Sequence, residues 1–105
     1  MSQSITEAQA SEQTRQQRDA IHTALVRARP ELAGRIEQGP SGALLIPLPG
    51  GRGIEIGRMR RAGRSRWVVV HPHAGRAAVS EAAGPLDASR RAMHALDEAG
   101  HRPIT

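Results

Sequence analysis

Six arginines, Arg52, Arg58, Arg60, Arg61, Arg64 and Arg66, fall within one short stretch, Gly51 to His71 (GRGIEIGRMRRAGRSRWVVVH), against a single acid, Glu55. That local imbalance equals the net charge of the whole chain, +5. A guanidinium group stays charged at any biological pH and forms paired hydrogen bonds to phosphate oxygens. A turn bearing Arg58, Arg60, Arg61, Arg64 and Arg66 is therefore suited to lie along a nucleic-acid backbone or to enter a groove. With about five phosphates neutralised, affinity should fall with salt at a log–log slope of roughly −4 to −5. Arg90 and Arg91, in a later segment, are candidates to extend the contact. The same turn in an arginine-biased chain also has a plainer use, keeping a sheet edge soluble. Trp67 is the only aromatic residue of the Phe, Trp and Tyr class, so stacking on successive single-stranded bases is not expected.

Other chemistries have weaker signals. His71-Pro72-His73 places two histidines on one side of an extended segment, and a metal site there needs a further ligand from His94 or Glu81. Short HxH pairs are commonly incidental, and no metal is assigned. Pro49-Gly50-Gly51-Arg52-Gly53 has the glycines of a phosphate cradle. It lacks the GK[ST] ending and the helix that should follow, so it reads as a hairpin turn. No serine elbow, paired carboxylates or cofactor fingerprint is present, so neither an enzyme nor a bound cofactor is expected.

The elements that must position these residues are legible in the pattern. Twenty of the 23 large apolar residues lie between Ile21 and Leu96. The expected organisation is a polar segment at 1–19, frayed or projecting, one small α+β domain at 20–100, and a loose tail at 101–105. Ser4-x-x-Glu7 and Thr6-x-x-Gln9 fit capping boxes that can start a helix, with mainly alanines to bury in its first turns. Ala8 to Gln17 reads either as a flexible tail or as a partner-binding helix. Ala20, Ile21, Ala24, Leu25 and Ala28 mark one helical face, which ends before Pro30.

Strands are predicted at 35–37, 43–48, 54–56, 66–71 and 76–81, with Gly57 as a bulge. In Trp67 to His71 both faces are apolar, so the strand is central or its second face is covered by a partner. A last helix follows Asp87, presents Ala92, Met93, Leu96 and Ala99, and ends at a left-handed Gly100. The predicted fold class is α+β: a helix, an antiparallel meander of three to five strands and a second helix, both helices on one face. Double-stranded-RNA-binding domains and some small nucleoid-associated proteins share the order helix, three strands, helix. Element order alone carries little functional weight.

Composition narrows the class further. There is no cysteine, which excludes disulfides and thiolate chemistry and fits a reducing, cytoplasmic setting. No apolar run marks a secretion signal or a membrane span. All 15 basic side chains of the Lys and Arg class are arginine, alongside 17 alanines, a bias typical of GC-rich bacterial genomes that weakens the pI as a pointer to nucleic acid. The core is thin for its length, so a homodimer is expected. The leading expectation is a small basic accessory protein that binds nucleic acid through the 58–66 hairpin. The alternative is a protein–protein module, an adaptor or inhibitor that docks on an acidic partner or through an exposed sheet face.

Overall fold

The computed structural model describes residues 7–100 of the chain, with side chains from residue 11 onward. The capping hydroxyls expected at Ser4 and Thr6 and the tail at 101–105 lie outside the described residues. The architecture is α+β. A long helix α1 (Glu7–Ala28) is followed by a 3-10 turn (Pro30–Leu32). Five strands come next: β1 (Glu37–Gln38), β2 (Leu44–Pro47), β3 (Gly53–Arg61), β4 (Arg64–His73) and β5 (Arg76–Glu81). Helix α2 (Pro85–Gly100) closes the fold. The strands form one antiparallel sheet in the order β1-β2-β3-β4-β5, so each pairs only with its neighbours in sequence. No described helix is long and apolar enough to cross a membrane.

Strand alternation divides the sheet into two unlike faces. Leu44 pairs with Ile56 and Ile46 with Ile54, and Ile56 in turn pairs with Val69. These residues, with Trp67, are buried on one face with Ile21 and Leu25 of α1 and Ala88, Ala92 and Ala95 of α2. Both helices therefore lie on that face. The alanine stripe of α2 has almost no side-chain bulk, which lets its backbone settle close to the strands. Met93 and Leu96 pack at its flank, while Ala99, expected on the inner face, is exposed. In α1 the buried stripe is Ile21 and Leu25, and Ala20 and Ala28 of the expected face are exposed. Arg29, just beyond α1, pairs with Asp97 of α2 and clasps the two helices together.

Two turns are built alike. Ala62 (φ 52°) and Gly63 (φ 76°) connect β3 to β4, and Ala74 (φ 51°) and Gly75 (φ 79°) connect β4 to β5. Positive φ at both central residues is the type I′ geometry that matches the twist of paired strands. Two expectations are corrected. Gly57 is not a bulge, because the register runs without a skip through Ile56–Val69, Gly57–Val68 and Arg58–Trp67. A Cβ there would come to 3.3 Å from that of Ala43, just before β2, so any larger residue would need Ala43 to shift by a few tenths of an ångström. Gly100 is the last residue of α2 and does not take a positive φ.

Candidate nucleic-acid interface

β3 and β4 are longer than the strands that flank them. Pairing of β2 to β3 stops at Leu44–Ile56, and pairing of β4 to β5 stops at Val68–Glu81. Beyond those points four pairs continue as a two-stranded arm: Arg58–Trp67, Met59–Arg66, Arg60–Ser65 and Arg61–Arg64. At about 3.4 Å per residue the arm extends roughly 10–13 Å past the sheet. Strand alternation splits its arginines. Arg58 and Arg60 share the helix-side face with Trp67, whereas Arg61, Arg64 and Arg66 are on the opposite face.

The base of the arm is fixed to α1. Gln17 lies one helical turn before Ile21, on the same stripe as Leu25. Its Oε1 accepts hydrogen bonds from Trp67 Nε1 (2.7 Å) and Arg58 Nη1 (2.9 Å). The Arg58 guanidinium also lies over the Trp67 ring, 5.4 Å from its centroid, and donates to the Ser65 carbonyl at 3.3 Å. Trp67 is 4% exposed, so its indole N–H needs this acceptor. Arg58 thus helps hold the arm in place.

The other arm arginines differ in freedom. Glu81, at the end of β5, faces Arg66 (3.0 Å) and Arg61 (3.7 Å). One carboxylate is shared by two guanidinium groups, so the cationic tip is reduced but not cancelled. Arg60 and Arg64 make no ion pair or side-chain hydrogen bond among the described residues, and both are exposed.

Arg90 and Arg91 are not at the tip. They sit on α2 beside a surface cleft with His71, Ser80, Asp87 and His94. Arg91 donates to Asp87 (2.9 Å) and to Ser80 Oγ (2.6 Å). Asp87 also accepts the backbone N–H of Ala83 at 2.8 Å. These contacts, with the Ala83 N–H foremost and Arg91 next, hold the Asp87 carboxyl below its ordinary range.

The histidine pair remains near the surface. His71 and His73 rings meet edge to face at 6.4 Å, and Glu98 faces both His94 (3.2 Å) and His73 (3.9 Å). Glu81, considered as a further ligand, is on the other side of the sheet, because it pairs with Val68 and not with a residue of the His71 face. Among the described residues no group of three or more His, Asp or Glu side chains could hold a metal ion. The Pro49–Gly53 segment is a hairpin turn, with Gly50 and Gly51 at positive φ and Leu48 N–H donating to Arg52 O at 2.8 Å.

The sheet face opposite the helices carries Leu45, Val68, Val70 and Val79; Val79 is exposed, Leu45 and Val70 are half-buried, and Val68 is buried. Sequence reasoning missed Gln17. The signal was its place four residues before Ile21, which puts it on the buried stripe. Comparison of the chain with protein families, with curated proteins and with solved structures finds no match.

Proposed function

We propose that this chain is a small non-enzymatic, cytoplasmic accessory protein that binds nucleic acid through the arginine arm. The observation that supports the reading is the arm's geometry. Two paired strands run beyond their neighbours, are braced at the base by Gln17 and Trp67, and present Arg60 and Arg64 without competing carboxylates. A β-ribbon with cations on both faces can contact phosphates on the two sides of a groove. Arg60, Arg61, Arg64 and Arg66 are the contact residues in this reading, with Arg58 as a brace and Arg90 and Arg91 as a secondary contact on α2. Four phosphate contacts give a salt slope of roughly −3.6.

The test is fluorescence anisotropy with labelled duplex DNA, duplex RNA and single strands at low salt, about 50 mM. Replacing Arg60, Arg61 and Arg64 together by alanine should lower affinity by at least about ten-fold and leave the circular dichroism spectrum unchanged. Absence of binding by the wild-type chain to all of these probes overturns the reading.

The exposure of Met59 and Val79 on the face opposite the helices supports a second reading, a protein–protein module (adaptor or inhibitor) in which the arginines form a charged rim. Affinity capture with and without nuclease treatment separates the two. Loss of the captured material after nuclease favours nucleic acid, and its retention favours an acidic protein partner.

A further inference from the structure

Every residue from Arg58 to Arg66 is exposed, so the outer part of the arm stands free on both faces. The side-chain bonds from α1 to the arm are made at its root, by Gln17 to Arg58 and Trp67. The two outermost rungs are Arg60–Ser65 and Arg61–Arg64. Between them they carry one guanidinium per face that has no ion pair among the described residues: Arg60 on the helix side and Arg64 on the other. The tip that joins the rungs is Ala62-Gly63, with no side chain longer than a methyl group.

Resting on the nucleic-acid reading above, we infer that the arm enters the major groove of B-form duplex DNA tip first, with each of its faces toward one wall. Stacked sheets lie about 10 Å apart, so each contributes a side-chain layer of about 5 Å, and a ribbon clothed on both faces is about 10 Å thick. The major groove of B-form DNA is about 12 Å wide and admits a two-stranded ribbon, whereas the minor groove is only about 6 Å wide. The major groove is about 8.5 Å deep, less than the roughly 10–13 Å by which the arm extends past the sheet. The tip therefore reaches the groove floor, where Ala62 and Gly63 have no bulk to hold it off the base edges.

The split of the cations fits the same site. Arginines on one face alone would suit a ribbon lying along a single backbone. Here Arg60 faces the phosphates of one strand while Arg64, with Arg61 beside it, faces those of the other. Duplex RNA offers no equivalent cleft, because its A-form major groove is deep and narrow and its minor groove is wide and shallow. A single strand has no second wall, and Trp67, 4% exposed, is not available for stacking on its bases.

Gel-shift competition on the full chain at about 50 mM salt tests this, using a short DNA duplex with a central A·T run and the RNA duplex of the same sequence. Methyl green, which occupies the major groove, should displace the protein from the DNA. Netropsin, which occupies the minor groove, should not. The RNA duplex should bind at least about ten-fold more weakly than the DNA. Arg60→Ala and Arg64→Ala should each weaken DNA binding by at least about three-fold, with the circular dichroism unchanged, because they hold different walls. Displacement by netropsin, resistance to methyl green, an RNA duplex bound within ten-fold of the DNA, or a loss confined to one of the two variants overturns the inference and leaves the nucleic-acid reading standing. Absence of binding to DNA and RNA alike overturns that reading and the inference with it.

Discussion

The side-chain carbonyl of Gln17 accepts the indole N–H of Trp67 at 2.7 Å, and this bond ties the middle of the long N-terminal helix to the root of the arginine arm. The same oxygen takes a second hydrogen bond from Arg58, which covers the ring. Gln17→Ala leaves a buried donor unsatisfied and should cost about 1–2 kcal/mol of stability. Urea unfolding measures the loss. Trp67 is the only tryptophan, so its fluorescence should shift to the red as water reaches the ring.

Glu81 restrains two cations, Arg61 and Arg66. If the arm binds nucleic acid, Glu81→Gln should strengthen binding by roughly two- to five-fold, the scale of an exposed ion pair, and should steepen the salt dependence. Anisotropy titrations at several salt concentrations report both. Unchanged affinity in this variant would mean that Arg61 and Arg66 do not touch the polymer.

The two type I′ turns each hold an alanine at positive φ, Ala62 and Ala74. A Cβ in that region is strained, whereas asparagine tolerates it and Asn-Gly is the preferred pair for this turn. Ala62→Asn and Ala74→Asn should each stabilise the fold by about 0.5 kcal/mol, which raises the melting temperature by about 2–4 °C. Thermal melts of the single and double variants check this, and the two gains should add because the turns are separate.

Asp87 is held below its ordinary pKa of 3.8 first by the Ala83 N–H and then by Arg91. A carboxyl whose folded value is depressed contributes stability that is complete above its unfolded value. That contribution is lost as pH falls from 3.8 through the lower, folded value. Asp87→Asn removes this dependence, so its stability should decline less than that of the wild type across that window. Denaturant midpoints measured from neutral to acid pH test the sign.

Much of the fold is legible in the sequence because its signals are local. Leu44, Ile46, Ile54, Ile56 and Val69 alternate with outward residues, and Ala-Gly pairs separate the longer strands, so the meander follows from period and turn alone. The arm's length is less legible, since Arg58 to Arg61 carry no apolar alternation and are extended only because Trp67 to Arg64 pair with them. The split of the arginines between two faces, and the capture of Arg61 and Arg66 by Glu81, depend on register across β3, β4 and β5. No single segment encodes that register. Residues 7–19 carry a weak apolar stripe, yet α1 runs unbroken across position 19 because Gln17 and the residues after it find partners on the sheet. Propensity read along one segment cannot see those partners.

The neighbour-only order of the sheet bears on how quickly the molecule assembles. Each hairpin can close on its own short turn before distant parts of the chain meet, so the strands can zip together in succession from either Ala-Gly corner. The clasp between Arg29 and Asp97 joins residues 68 apart in the chain, so closing it costs more loop entropy than closing either hairpin, and it is expected to form after them. Substitutions at the corners should therefore alter the folding rate, and loss of the clasp should chiefly hasten unfolding, a division that stopped-flow chevrons resolve.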